Sequence, residues 1–282
     1  MIQELLISMR PKQWYKNLVL FIGIIFSLNF FNTNMWMSSI SAFITFCMIS
    51  SSEYIINDIF DRERDRAHPR KRNRPIASGK LKASHALSFA VVLLILAFIG
   101  ASQINIQFLG ISLAYFILII FYSLYFKHIA IVDVLTISIG FVLRAVAGCI
   151  AINVSISPWL IICAFLVALF LALGKRRNEL TLLVNGANDH RQVLDGFSPE
   201  ILDHMSTIVM ASLIMSYSLY TFLTDNVWMM ITIPIVVYGL FRYLFLAHSK
   251  NMGGEPEELF KDIGIITCII LWIVISMGVL VI

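Results

Sequence analysis

Runs of about 20 apolar residues, joined by short polar connections, recur from one end of this chain to the other. The hydrocarbon core of a bilayer needs helices of about that length. The pattern therefore predicts membrane spans at 17–32, 36–57, 83–102, 107–126, 131–152, 158–176, 204–223, 227–247 and 262–281. No stretch alternates polar and apolar residues as a barrel strand does, which leaves helices as the structure that satisfies its own backbone in lipid. The expected fold class is an all-α integral membrane protein with nine transmembrane helices. Neither a linker nor a low-complexity tract interrupts the series, so residues 1–282 read as a single domain. The first apolar run lacks a small-residue cleavage site, and no cleavable leader is expected.

Composition agrees: 59% of the 282 residues are hydrophobic and 13% are charged, a balance foreign to soluble domains. The placement of positive charge adds orientation. Of 21 Lys and Arg, nine lie between Arg62 and Lys82, and the connections near 33–35, 103–106, 153–157 and 224–226 hold none. Cationic connections alternate with ones that lack Lys and Arg, which places the N-terminus and the large loops in the cytoplasm of a plasma (inner) membrane protein. The net charge of +4 reflects this one-sided display and gives no indication of nucleic acid. Cys47, Cys149, Cys163 and Cys268 fall inside predicted spans without metal-ligand spacing and read as buried apolar residues.

Chemistry concentrates on the cationic side. The second span runs into Asn57-Asp58-Ile59-Phe60-Asp61-Arg62-Glu63-Arg64-Asp65. If the helix continues to Asp65, offsets of three and seven place Asp58, Asp61 and Asp65 within about 60° of one another. Acids gathered at a membrane helix end need a cation, and magnesium binds through few carboxylates plus substrate phosphates. A basic stretch follows, His68 to Pro75, ending in Arg74-Pro75-Ile76-Ala77-Ser78-Gly79. Such a run suits anionic lipid, but its prolines and the Ser78-Gly79 turn restrict the backbone more than lipid contact requires. Gly174-Lys175-Arg176-Arg177-Asn178-Glu179 closes the sixth span. A helix C-terminus favours cations, yet three in succession exceed that need, and the Arg fork suits phosphate. The loop 253–258, with Lys261 and Asp262, reads as structural.

Charges within spans carry a default toward function. Glu53 lies one turn before Asn57. Asp133 and Arg144, 11 residues apart, face one side of the fifth span, and Arg144 reads as a counter-ion to Glu53 or Asp133. Tyr122, Ser123, Tyr125, Lys127 and His128 sit at the inner end of the fourth span, where an aromatic belt is the plain reading and phosphate contact by Ser123 and Lys127 the functional one. The arm Arg10-Pro11-Lys12-Gln13-Trp14-Tyr15-Lys16-Asn17 suits an interfacial segment, but Arg10, Lys16 and Asn17 are more polar than an anchor needs.

The pattern Asn57-Asp58-x-x-Asp61-x-x-x-Asp65 followed by Arg74-Pro75-Ile76-Ala77-Ser78-Gly79 resembles the first aspartate-rich motif of the UbiA superfamily of intramembrane prenyltransferases. The resemblance implies a nine-helix UbiA-like bundle with cytoplasmic active-site loops. It also implies Mg2+ and a diphosphate held by Asp58, Asp61 and Asp65 with Asn57 assisting, and self-association, as a trimer. One departure is informative. Where aromatic prenyltransferases of the superfamily carry a second aspartate-rich motif, this chain has Lys175-Arg176-Arg177. That substitution, with Arg10-Pro11-x-x-Trp14-x-Lys16-Asn17, is similar to the decaprenyl-phosphate phosphoribosyltransferase branch. Its members move 5-phosphoribose from phosphoribosyl pyrophosphate (PRPP) to a polyprenyl phosphate.

The charges suit that chemistry. A lipid phosphate monoester has a second pKa of about 6 and is a nucleophile without a general base. It needs cationic screening to approach another polyanion. The candidate substrate-binding set is Lys16, Asn17, Asn57, Arg74, Tyr122, Lys127, Lys175, Arg176 and Arg177. A prenyl diphosphate donor with an aromatic acceptor is the alternative, and no second DxxxD supports it. A secondary transporter would show inverted repeats and polar residues at mid-depth, which the pattern lacks.

Overall fold

The computed structural model describes residues 1–27, 29, 31–69, 71–184, 196–223, 226–249 and 261–281. The loop 253–258 therefore lies outside the described residues, as do Arg70, Arg191 and Lys250. Among the described residues the regular elements are all helical: α1 (Ile2–Ser8), a 3-10 segment (Pro11–Phe21), α2 (Ile22–Phe26), α3 (Thr33–Phe60), α4 (Arg62–Ala67), α5 (Ala83–Ile104), α6 (Ile106–Leu124), α7 (Val132–Ala151), α8 (Pro158–Val184), α9 (Pro199–Leu223), α10 (Ile233–Ser249) and α11 (Ile263–Val281). Short 3-10 segments at Lys71–Asn73, Phe126–His128 and Val227–Thr232 join some of these.

Among the described residues seven helices are long and apolar enough to cross a membrane, so the chain is an integral membrane protein. The expected first span, 17–32, is replaced by the 3-10 segment and the short α2. Tertiary contacts hold this stretch in place of a regular ladder. Buried Asn17 bonds to neighbouring helices, and Leu20 lies against Gly148, where an added Cβ would stand 2.0 Å from the Leu20 carbonyl oxygen. The ninth expected span, 262–281, appears as α11, whose apolar stretch Ile263–Val279 is among the shorter helices. The eighth begins as the 3-10 turn Val227–Thr232 before α10.

The length of α3 positions the acidic motif. Asn32 caps its start, the side-chain oxygen accepting from Asn34 N–H at 3.1 Å and Met35 N–H at 3.2 Å. Its 28 residues extend about 42 Å, against a hydrocarbon core of about 30 Å. α3 is therefore about 12 Å longer than the core it has to cross, and Asn57 and Asp58 lie in its last turn.

The chain divides into two compact units: Met1–Leu124 with Leu143–Ser155, and Tyr125–Val142 with Ile156–Ile282. In the first, α5 turns Ala86, Ala90, Ala97 and Ala101 inward, and Ser52 Oγ donates to the Ala90 carbonyl at 3.1 Å. Small residues there let backbones approach closely, which is how helices pack without a hydrophobic drive in lipid. One core gathers Leu20, Phe46, Ile49, Phe108 and Tyr115. Another joins Met9 and Ile55 to Ile76, Leu81 and Ala86, so the segment after the basic run is packed down. In the second unit Val134, Leu173 and Leu202 form one core, and Phe170, Tyr243 and Leu246 another.

Candidate active site

The aspartates are placed by a helix that bends but does not stop. Asp61 leaves helical geometry (φ −88°, ψ 5°), ending α3 and opening α4. The hydrogen-bond ladder nevertheless continues across it: Asp61 N–H donates to the Asn57 carbonyl at 2.9 Å and Asp65 N–H to the Asp61 carbonyl at 2.8 Å. Two turns separate Asp58 from Asp65, and both side chains turn inward, at 2% and 4% exposure. Asp61 is half-buried.

Arg74 joins the two buried acids. Its Nη1 donates to Asp58 Oδ1 at 3.1 Å and to Asp65 Oδ2 at 2.7 Å. The turn that delivers it is built by its own sequence. Ser78 N–H bonds the Arg74 carbonyl at 2.8 Å, Leu81 N–H bonds the Pro75 carbonyl at 2.9 Å, and Gly79 supplies φ +79°, which an L side chain resists. Ile76 and Ala77 are buried beneath it. Arg66 Nε donates to the Ala77 carbonyl at 3.1 Å, tying α4 to the same turn. Arg10 adds a second cation: it hydrogen-bonds Asp58 and stacks 5.0 Å above the Tyr54 ring.

These residues fit a divalent cation. Among the described residues no three Asp, Glu, His or Cys side chains gather closely enough to hold a metal alone. The three-acid cluster expected of Asp58, Asp61 and Asp65 is not seen: Asp58 and Asp65 share Arg74, and Asp61 sits at the junction of α3 and α4. Magnesium does not need such a cage; one or two carboxylates with substrate phosphates and water complete its octahedron. Asp58 and Asp65 converge on one nitrogen of Arg74, a position of concentrated positive charge, so these two carboxylates are the residues that would hold such a cation.

A second polar network lies deeper in the first unit. Asn17, 1% exposed, directs its Nδ2 toward Ser50 Oγ and Cys47 Sγ at 3.4 Å each, and accepts from Arg144 Nε at 3.0 Å. Arg144 also donates to the Tyr115 hydroxyl, and Tyr115 donates to Glu53 Oε2 at 3.3 Å. Glu53 Oε1, fully enclosed, has no hydrogen-bond partner. Of the two counter-ions expected for Arg144, Glu53 is the one its network reaches, through the Tyr115 hydroxyl. Asp133, 11 residues away and about 16 Å along the helix axis, takes Arg176.

Asp133 instead holds Arg176. In the second unit Arg176 is 1% exposed and forks onto Asp133, with Nε at 2.5 Å and Nη2 at 3.1 Å, while Nη1 reaches Glu179 at 2.6 Å. Arg177 pairs with Asp203 at 2.5 Å, which also takes His248 Nε2 at 3.3 Å. The basic run lies inside α8, which continues to Val184 and does not close there as expected, and the run carries much of its own counter-charge. Lys175 and Lys127 are half-buried in this unit. In the first unit, Lys16 is half-buried and donates to Gln13 at 3.3 Å, and Asn57 and Tyr122 are half-buried at the ends of α3 and α6. The structure brings Asp58, Asp65 and Arg74 together. It adds Arg10, whose partner 48 positions away gave no local signal in the sequence. A groove of about 480 Å³ lined by Pro234, Tyr238, Cys268 and Leu271 is apolar and holds none of the expected residues.

Comparison with known proteins bears on this geometry. The model of the UbiA prenyltransferase family matches residues 18–261. A decaprenyl-phosphate phosphoribosyltransferase of Corynebacterium glutamicum is 34% identical over 89% of this chain and 79% of its own length. One of Mycolicibacterium smegmatis is 29% identical over 93% of this chain and 87% of its own length. Among solved structures, a UbiA homolog from Archaeoglobus fulgidus bound to DMAPP and Mg2+ superposes with a TM-score of 0.75, at 18% identity, over 99% of both chains. That likeness concerns the fold.

Proposed function

This chain belongs to the UbiA prenyltransferase family, and on that premise we propose that it transfers 5-phosphoribose from PRPP to a polyprenyl phosphate, releasing pyrophosphate. The observation that carries the reading is the pair of buried carboxylates converging on one cationic position beside two arginines. The similarity to phosphoribosyltransferases over most of the chain supports the donor. Magnesium, when bound, would supply Lewis-acid stabilisation of the departing pyrophosphate. Asp58 and Asp65 would hold it, with Asp61 and Asn57 completing the rim.

Arg10 and Arg74 neutralise the acids when no substrate is present. A diphosphate offers them oxygens with the same fork geometry, so they exchange carboxylate for phosphate when the donor binds. Lys16 and Tyr122 in the first unit, and Lys127, Lys175 and Arg177 in the second, are proposed to contact phosphate oxygens. Arg176 acts indirectly: its buried fork onto Asp133 ties α8 to the start of α7. The acceptor is already anionic, so the residues have to orient and screen it and need not deprotonate it. The positive-side pattern of the sequence supports a plasma-membrane location with these loops in the cytoplasm.

The test is direct. Purified protein, labelled PRPP, Mg2+ and a polyprenyl phosphate should yield labelled lipid that extracts into solvent. Transfer from a prenyl diphosphate to an aromatic acid, with no labelled lipid from PRPP, would replace this reading with the prenyl-transfer one.

A further inference from the structure

Arg10 stands in left-handed backbone, at φ 51° and ψ 60°, a region that is costly for a residue with a side chain. It also precedes Pro11, where extended backbone is preferred. Such an outlier persists where its surroundings over-determine it. The strained residue is the one whose guanidinium meets buried Asp58, 48 positions away. Glycine would take the same backbone without cost, so what this position retains is the cationic side chain.

One face of α3 holds the arm. Offsets of four, three and four place Cys47, Ser51, Tyr54 and Asp58 within about 60° of one another. The arm meets them in reverse order: Asn17 at Cys47, Trp14 at Ser51, and Arg10 at Tyr54 and Asp58. Ser51, 0% exposed, is where the two sides of Arg10 come together. Its Oγ accepts from Trp14 Nε1 at 3.1 Å. Its one proton faces two carbonyls, that of Cys47 at 2.7 Å in its own helix and that of Met9 at 3.2 Å in the arm. Met9 is itself packed in a core with Ile55 and Ile76. About one turn on, the Tyr54 ring lies 5.0 Å from the Arg10 guanidinium carbon. A cation–π contact of this kind leaves the N–H donors free to change partner.

Resting on the phosphoribosyl reading, we infer that Ser51 is a positioning residue for donor binding: it pins the arm on both sides of Arg10 and so holds the guanidinium at Asp58, where it takes a phosphate oxygen of PRPP. Ser51 has no exposed surface and touches no substrate; it acts through Arg10. Tyr54 backs the guanidinium while its fork passes from carboxylate to phosphate. The left-handed backbone follows from the two anchors. With Met9 and Trp14 both held at α3, Arg10 takes the conformation that joins them with its side chain toward the acid.

The experiment is a double-mutant cycle between Ser51→Ala and Arg10→Met. It is read as KM for PRPP and kcat, with the calorimetric Kd for Mg2+-pyrophosphate as a second readout. Arg10→Met should raise KM roughly 10- to 100-fold, the loss of one hydrogen bond between charged groups. Ser51→Ala should raise KM about 3- to 10-fold with kcat little changed, the scale of one neutral hydrogen bond. In the Arg10→Met background it should have no further effect, because residues that act through one group are not additive. Kd for Mg2+-pyrophosphate should follow the same pattern. A hydroxyl that only stabilises the fold would lower the melting midpoint and leave KM unchanged, or shift KM by the same factor in both backgrounds; either result overturns the inference. If Ser51→Ala does not fold, Trp14→Phe removes the same bond from the arm side and keeps an aromatic ring. A KM shift in Trp14→Phe that is independent of Arg10, or no shift, then overturns the inference. Failure of the parent reading looks different: wild-type protein would make no labelled lipid from PRPP, while the Kd for Mg2+-pyrophosphate would still read the cycle.

Discussion

Arg74→Met isolates what the guanidinium does for the two acids. In the native protein one nitrogen serves Asp58 at 3.1 Å and Asp65 at 2.7 Å, both carboxylates being nearly enclosed. Hydrogen bonds to charged groups contribute about 1.5–3 kcal/mol each. Arg10 still compensates Asp58, so the loss falls mainly on Asp65, and the Arg74 side chain is 28% exposed, which screens part of it. A net destabilisation of about 2 kcal/mol follows. Magnesium should repair it, because Asp58 and Asp65 would hold the ion in place of the lost guanidinium; at ten times its dissociation constant it returns about 1.4 kcal/mol. The assay is the unfolding midpoint of detergent-purified protein at fixed scan rate, by tryptophan fluorescence, with and without Mg2+. The variant should melt lower than wild type in chelator and gain more from Mg2+. Equal midpoints in chelator, or equal gains from Mg2+, would refute the shared cation position.

Further outcomes follow from the same geometry. Asp58→Asn should reduce phosphoribosyl transfer by about three orders of magnitude or more while the protein still inserts and purifies, measured as labelled lipid per mole of folded protein. Arg176→Ala should act chiefly on stability, costing about 3–5 kcal/mol because the fork onto buried Asp133 is lost, and its signature is a lowered melting midpoint with KM for PRPP little changed. Gly174→Ala places a Cβ 1.9 Å from the Tyr243 hydroxyl oxygen and 2.9 Å from the ring carbon bearing it, so it should destabilise the second unit. Tyr243→Phe in the same chain should recover part of the loss, which thermal melts of the single and double variants would read.

The sequence discloses α3 and its acidic end clearly because two independent patterns meet there: a span-length apolar run and acids at helical spacing. The Arg74 turn is equally legible, since proline and Gly79 constrain the backbone locally. The first span is not. Its residues are apolar enough for a helix, and only distant partners, Gly148 and Arg144, show why it runs as a 3-10 segment. The basic run at 175–177 reads from composition as open phosphate ligands. The compensating acids come from positions far along the chain, Asp133 and Asp203, and no local pattern announces such pairs. Arg10 and Glu53 show the same limit. Their residue types are visible in the sequence, but the bond to Asp58 and the unmet oxygen exist only once the helices are packed.

The central claim is that Asp58 and Asp65 share a cation that serves a diphosphate. Manganese is a faithful stand-in for magnesium with oxygen ligands and can be located by its anomalous scattering. A structure of the protein with Mn2+ and pyrophosphate should place the ion in contact with both carboxylates and move Arg74 onto phosphate oxygens. Manganese bound elsewhere, with Arg74 still joined to both acids beside bound pyrophosphate, would contradict the account.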